Sequence, residues 1–399
     1  VRVLFLHDRL SARGGADRHL IGLLERLRGR VETLLAVGLD DASLPPAERA
    51  GLGPWRRVKG LDRGGLKPRG GRAARARLER LLDEFQPQVI HVHNLMDPDL
   101  LDLAASSGRG LMTVQDHRLF CPGRGQVTPG GRACNLVLGP ACRGCFEEAE
   151  YGARLMELTR RRLEAASGLR RLLVLSSYMA RQLIAAGAPA ERVEVLPPFV
   201  SGLEFPPRTK PGSYHLLAGR LVERKGLRVA LAAAGRLKEP LPLVVTGDGP
   251  LAGEAARSAQ ASAGRVRFFG WADRPAMARL LAGARSLWLP SLWAEPFGIV
   301  GLEALAAGTP VIAAAVGGVA DWLGQGREGC LVPAGEAGAL AEAADRLAAA
   351  DELALGLGRA GQTRVSRDFE PERLMDRLLA VYRAAAAPRP VNEAGRPKA

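Results

Sequence analysis

The stretch Ser291-Leu-Trp-Ala-Glu-Pro-Phe-Gly-Ile-Val-Gly-Leu-Glu-Ala-Leu-Ala-Ala-Gly-Thr-Pro310 decides how this chain is read. An apolar run, Arg285-Ser-Leu-Trp-Leu-Pro290, precedes it and a second, Pro310-Val-Ile-Ala-Ala-Ala315, follows it. The order is therefore buried strand, helix, buried strand. The helix has a glycine entrance at Phe297-Gly298. Two carboxylates flank that entrance with seven residues between them: Glu295 on the loop and Glu303 inside the helix. Glycine lets a ligand approach the backbone, and a helix N-terminus offers free N–H groups and partial positive charge to a phosphate. Carboxylates beside such a site accept hydrogen bonds from sugar hydroxyls. The pattern suits a diphosphate with a hydroxyl-rich group at each end; a glycine-capped helix with two solvated glutamates is the plainer alternative.

Working outward, the second half of the chain repeats the alternation of strand and helix. Tyr214 to Ala218 reads as a strand and leads into Gly219-Arg220-Leu-Val-Glu-Arg-Lys225-Gly226. Cations where a strand meets a helix can neutralise a diphosphate, although this chain carries many surface cations. Leu243-Val-Val-Thr-Gly247-Asp-Gly249-Pro250 reads as strand, glycine turn and a helix beginning at the proline. Val266 to Phe269 is a strand followed by Gly270-Trp271, and helices are expected from Glu336, Glu352 and Pro371 to about Ala386.

The first half is similar. Val3 to Leu6, ending at His7-Asp8, is a strand, and Gly14-Gly15 opens a helix with Leu20, Leu23, Leu24 and Leu27 on one face. Strands are expected at Val31 to Val37, Val89 to His93, Leu111 to Val114, Leu172 to Leu175 and Val193 to Leu196, and helices over Arg154 to Ala166 and from Ser176 to Ala186. Such alternation argues an open, doubly wound parallel sheet, with ligands beyond the carboxyl ends of the strands. Gly14, Gly15, His93, Gln115, Asp116 and His117 all follow strand ends there. The Pro197-Pro198 to Pro206-Pro207 stretch is the best domain boundary.

Between the halves of the first sheet lies a cysteine cluster, Cys121, Cys134, Cys142 and Cys145, spaced Cys-x12-Cys-x7-Cys-x2-Cys. Four thiolates suit a structural zinc, or an iron–sulfur cluster as the alternative. Two disulfides and four unrelated thiols are the other readings.

The chain of 399 residues is long enough for two domains. No apolar run is long enough for a membrane helix, and the short apolar start lacks the core of a signal peptide, which points to a cytoplasmic protein. The net charge of +14 favours phosphate-rich partners or an anionic membrane surface. The densest basic run, Arg56 to Arg80, includes Lys67 and Arg69, with Asp62 and Glu79 as its acids. It reads as a solvated loop and helix, or as a patch for peripheral contact with the inner face of a membrane. No aromatics interleave it, so no nucleic acid partner is expected.

Gly219-Arg-Leu-x3-Lys-Gly226, the Gly247-Asp-Gly-Pro250 turn and Glu295-Pro-Phe-Gly-Ile-Val-Gly-Leu-Glu303, in this order, resemble the retaining GT-B glycosyltransferases of family 4. The resemblance spans about Val3 to Ala386. It implies two Rossmann-like domains with parallel sheets facing an interdomain cleft. An acceptor-side domain would span 1–200, with a Cys-rich loop over 117–148, and a nucleotide-sugar domain 201–370. The helix 371–386 would cross back to the first domain, leaving a disordered tail over 387–399.

The implied reaction moves a sugar from a UDP- or GDP-linked donor to a hydroxyl acceptor, a lipid-linked one among the candidates, as a hexosyltransferase with no catalytic metal. Carried over by position, Glu295 binds the sugar, Glu303 the ribose, Arg220 and Lys225 the diphosphate, and the amides around Phe297, Gly298, Ile299 and Val300 the phosphates. Gly14, Gly15, Gly247, Gly249 and Trp271 line the donor pocket. Thr113-Val-Gln-Asp-His117 departs from the family, which often carries His where Gln115 stands; Gln115 substitutes for it or His117 reaches in. His93, Gln115 and Asp116 fall on the acceptor side. A non-catalytic partner subunit and a nucleotide-sugar epimerase are the alternatives. Part of the family carries a similar cysteine insert. Oligomeric state is left open.

Overall fold

A computed structural model describes residues 1–12, 14–64, 71–131, 133–134, 136–203, 205, 208–239 and 241–387. Arg13, Lys67, Arg69, the Pro206-Pro207 pair and the tail expected to be disordered beyond residue 387 lie outside the described residues. The chain forms two compact units. The first holds 1–125, 136–197 and 372 onward; the second holds 126–135 and 198–371.

The first unit contains strands β1 (Arg2–Leu10), β2 (Glu32–Asp40), β3 (Trp55–Arg57), β4 (Val89–His93), β5 (Gly110–Val114), β6 (Arg171–Val174) and β7 (Val193–Val195). They form one sheet in the order β3-β2-β1-β4-β5-β6-β7, with every pairing parallel. The apolar runs seen in the sequence are its centre: Val3, Leu4, Phe5 and Leu6 are fully buried, as are Val89 and Val92. Helices Gly15–Leu27, Gly71–Phe85, Pro98–Ser106, Ala149–Ser167 and Ser177–Ala185 connect the strands. The core on one face gathers Leu4, Leu6, Ile90, Val92, Met112 and Val114 with Leu100, Leu163 and Leu183 from helices.

Two details differ from the sequence reading. The first strand continues past His7-Asp8 to Leu10, because His7, Arg9 and Leu10 still pair with Val37, Leu39 and Asp40 of β2. The basic run opens with the edge strand β3, and its described part from Gly71 onward is helical. Arg56 on that edge pairs with Glu84, and Arg75 with Glu79 one turn on. No helix among the described residues is long and apolar enough to cross a membrane.

The second unit contains β8 (Tyr214–Ala218), β9 (Leu243–Thr246), β10 (Val266–Gly270), β11 (Ala284–Leu289), β12 (Val311–Ala314) and β13 (Gly329–Val332), in the order β10-β9-β8-β11-β12-β13, again all parallel. Pro250 lies in the turn, and the following helix starts at Ala252. Both sheets reverse direction of winding beside their first strand, between β1 and β4 and between β8 and β11. In open α/β sheets such switch points leave a crevice at the carboxyl ends of the strands.

The helix Pro371–Ala386 buries Leu374, Met375, Leu378, Val381, Tyr382 and Ala385. From Glu372 onward it belongs to the first unit. There the Tyr382 hydroxyl bonds Nδ1 of His91 on β4 at 2.7 Å, and Nε2 of His91 bonds Thr113 Oγ1 on β5 at 2.7 Å.

Candidate functional site

In the second unit the candidate residues gather at the switch point of the sheet. β11 delivers Ser291 to Glu295 directly after its carboxyl end. Glu295 is only 2% exposed, yet it is a carboxylate with partners. Lys225 Nζ donates to its Oε1 at 2.6 Å, and Ser291 Oγ donates to the same oxygen. Burial pushes the Glu295 pKa up, but the Lys225 charge, its hydrogen bond and those of Ser291 and Trp293 together hold it below the usual carboxylate value. Glu295 is therefore ionised in a desolvated place, where a charged acceptor binds hydroxyls strongly.

Trp293 underlies the basic side of this site, with Arg224 4.5 Å and Lys225 5.3 Å from its ring centre. Arg220 is exposed on the same turn and shares a small cavity with Gly219, Leu221, Lys225 and Leu289. The β9 turn interlocks with that turn: Leu221 N donates to Asp248 O at 2.8 Å. Gly247, at φ +139, has no alternative residue, since a Cβ would sit 1.9 Å from Gly219 O.

The helix Ile299–Ala306 starts from Gly298 at φ +94, a left-handed cap that favours glycine. Its first N–H groups, at Ile299 and Val300, precede any possible intrahelical acceptor. The Phe297 side chain is 1% exposed and packs against Phe369 and Trp322, so only its backbone serves the helix entrance. Trp322 Nε1 donates to Phe297 O at 2.6 Å, and Gly318 N donates to Glu295 O at 2.7 Å. These two contacts, absent from the sequence reading, fix the loop that carries both carboxylates.

Glu303 is engaged by a residue the sequence reading missed. Arg274 Nη1 donates to its Oε1 at 2.5 Å, while Nη2 bonds the carbonyl of Ser201. Trp271, three residues earlier on the β10 loop, is 45% exposed beside the exposed Phe269.

In the first unit the carboxyl ends of β1, β4 and β5 bring together a polar group. Gly14 caps the helix Gly15–Leu27 without a side-chain bond, and Asp17 in its first turn accepts from Ser11 N at 3.0 Å and bonds His7 Nε2 at 3.1 Å. Burial would lower the His7 pKa, but Asp17 and Asp8 outweigh it and raise it. Gln115 Nε2 lies 3.0 Å from His19 Nδ1 and 3.2 Å from His93 Nδ1. Burial lowers His19 to about 4 and His93 well below its ordinary value. His93 is fully buried, its ring 5.5 Å from that of His19. Asp116 is paired with Arg118 at 2.8 Å, and Arg118 also reaches Asn94 and, at 3.5 Å, Asp8. His117 opens the short 3-10 turn His117–Leu119 with 1% exposure, its ring edge-on to Phe120 and Tyr178. His7, His19, Asn94 and Arg118 were not singled out in the sequence; polar residues just past apolar strands were the signal available.

The expected four-cysteine centre is not formed. Among the described residues no three of His, Cys, Asp or Glu are grouped so as to hold a metal ion. Cys134 belongs to the second unit and Cys121, Cys142 and Cys145 to the first. Cys142 is buried with its thiol 3.8 Å from Val137 O, a protein contact instead of a shared ion. Spacing alone specified thiols near one another in sequence, and the loop, which is held by the turn Pro140–Cys145 and a Val127–Ala133 bridge, does not gather three of them into one ligand set.

Residues 13–201 match the family described as Glycosyltransferase Family 4, and residues 213–350 match Glycosyl transferases group 1. A glycogen synthase of Mycobacterium tuberculosis is 35% identical over 190 residues, 45% of this chain and 44% of that protein. The chain thus spans about half the length of the first curated relatives it matches. A phosphatidyl-myo-inositol mannosyltransferase of Mycobacterium leprae is 29% identical over 385 residues, 94% of each chain. The solved structure of Anabaena Alr3699/HepE in complex with UDP and glucose shares the fold, with TM-score 0.73, 18% identity, and 96% of this chain and 99% of that one covered.

Proposed function

Since the chain belongs to the family 4 glycosyltransferases and has their GT-B fold of two Rossmann-like units, we propose that it transfers a sugar from a nucleoside diphosphate sugar to a hydroxyl acceptor with retention at the anomeric carbon. The observation that carries this reading is the buried, ionised Glu295 beside Lys225 and the Gly298 helix entrance at the switch point of the second sheet. A site that only capped a helix would have no need of a desolvated carboxylate held by Lys225 and Ser291.

In this reading the diphosphate lies between Arg220, Lys225 and the amides of Ile299 and Val300, which stabilise the charge that grows as it departs. Glu295 accepts from sugar hydroxyls and fixes the ring, and Glu303 accepts from the ribose. The acceptor oxygen forms its bond to the anomeric carbon on the face from which the phosphate oxygen leaves. The acceptor proton passes to that phosphate oxygen, so the products are a glycoside and a nucleoside diphosphate, and no metal is needed for the balance. The HepE complex supports UDP-glucose as the first donor to try. The match to a phosphatidyl-myo-inositol mannosyltransferase supports phosphatidyl-myo-inositol as acceptor and a nucleotide-linked mannose as donor for further trials.

The test is release of UDP or GDP from a panel of nucleotide sugars, with and without acceptors, for the native chain and for Glu295→Gln. Transfer that is lost in the variant while the nucleotide still binds supports the proposal. Absence of binding to every nucleotide sugar in the panel refutes it. Formation of an epimer without acceptor assigns the site to epimerisation instead.

A further inference from the structure

The outer edge of the first sheet carries a concavity that the transferase reading leaves unused. Arg56 and Arg57 from β3 surround it with Arg77, Arg80 and Glu84 from the helix Gly71–Phe85, enclosing about 230 Å³. Arg77, Arg80, Leu81 and Glu84 stand at i, i+3, i+4 and i+7, so they share one face of the helix. Val58 and Leu81 are buried and floor the cavity. The helix returns from the carboxyl end of β3 to the amino end of β4. These residues stand on its second half, away from the crevice at the carboxyl ends of the strands.

The charge around the cavity is one-sided, four guanidinium groups against one carboxylate. Arg56 donates to Glu84 at 2.6 Å, an exposed pair. Arg57 Nε reaches Gly38 O at 3.4 Å and Arg77 Nη1 reaches Lys59 O at 3.3 Å, both long bonds to carbonyls. Arg80 is exposed and bonds nothing among the described residues. Like charges gathered round one concavity repel, and a bound anion relieves that repulsion. Charges on an edge strand also discourage strand pairing, but that role needs neither a concavity nor the guanidinium groups of a helix.

We propose that this cavity is a binding site for a small soluble anion carrying two or more linked phosphates. Guanidinium forks match phosphate oxygens in pairs, and several of them around one space suit more charge than a single phosphate brings. The volume lies below the about 300 Å³ at which pockets for drug-sized ligands begin, which suits a compact anion. The packing argues against a bilayer as the source of the phosphate. Leu78, Leu81, Leu82 and Phe85 of the helix all pack on the core. None of the exposed large apolar side chains among the described residues lies on β3 or on this helix. The site is built by the first unit alone and is independent of the transferase reading.

Inorganic pyrophosphate is the probe, titrated calorimetrically into the full chain. Saturable binding is expected, about 10-fold weaker in Arg80→Gln and at least about 100-fold weaker when Arg77→Gln is added. Glu84→Gln removes the one carboxylate and tightens binding about 2- to 5-fold. Without pyrophosphate, Arg80→Gln melts with the native chain, since no contact is lost; with it, the native chain gains more. The same titration of Lys225→Met separates this cavity from the diphosphate site of the second unit, because the binding that Arg80→Gln weakens persists there. No saturable binding to the native chain, binding indifferent to Arg80→Gln, or binding that Lys225→Met alone removes overturns the proposal. Retention on phosphatidylinositol vesicles that Arg80→Gln abolishes, with no response to pyrophosphate, assigns the cavity to a membrane surface and likewise overturns it.

Discussion

Replacing Lys225 by methionine tests the electrostatics of the second unit. The substitution keeps the length of the side chain and removes the cation that lies 2.6 Å from Glu295. A buried ion pair broken on one side costs about 3–5 kcal/mol, because the remaining charge is left in a poorly solvating place. Glu295 is 2% exposed and Lys225 28% exposed. Ser291 still bonds the carboxylate, so the loss falls at the low end, about 3 kcal/mol. For a unit of this size that lowers the melting temperature by about 6–12 °C.

Tryptophan fluorescence follows this unit selectively, since Trp271, Trp288, Trp293 and Trp322 lie in it and only Trp55 lies in the first. The pH dependence has a definite sign. In the native chain the folded Glu295 pKa is depressed below 4.5, so its stabilisation is present above that value and lost as the pH falls through the folded pKa. In Lys225→Met burial dominates and the folded pKa rises, so the deficit is largest near neutral pH and shrinks as acid protonates Glu295. Adding Glu295→Gln recovers at least about half of the lost stability. A melting temperature within about 2 °C of the native chain, or an equal deficit in the Glu295→Gln background, refutes the buried-pair argument.

Asp17→Asn removes the partner that raises the His7 pKa above 6.5. The contribution is present below 6.5 and lost as pH rises through the folded pKa. The variant is therefore less stable by about 1–2 kcal/mol near pH 6 and converges on the native chain in alkali, as thermal melts by circular dichroism will show. Tyr382→Phe leaves His91 Nδ1 buried without its 2.7 Å partner and costs about 1–2 kcal/mol, with amide exchange accelerating along Pro371–Ala386. Arg274→Gln frees the Glu303 carboxylate to move and weakens nucleotide binding about 10-fold by titration calorimetry, with kcat nearly unchanged.

Apolar runs made most strands legible, because a parallel strand covered on both faces is apolar throughout. β3 escaped notice since Trp-Arg-Arg lies at an exposed edge and buries no apolar face. The carboxylates of the second unit were legible because the helix entrance fixes their spacing locally. Their partners were not: Arg274 meets Glu303 from 29 residues away and Lys225 meets Glu295 from 70. Gln115 and His19 are 96 residues apart and meet only because β5 ends, and the first helix begins, at the carboxyl end of the sheet. The cysteines show the converse, since closeness in sequence did not gather three of them into one ligand set.

The bond between His91 and Tyr382 also carries a consequence for time. It joins residues 291 positions apart, with the whole second unit synthesised between them. At about 5–20 residues per second, a ribosome needs roughly 15–60 s to supply the missing hydroxyl. For that interval the nascent first unit holds on a central strand an imidazole whose Nδ1 has no hydroxyl to meet it, while the second unit can already complete its sheet. The unit that begins the chain is thus the last to be finished.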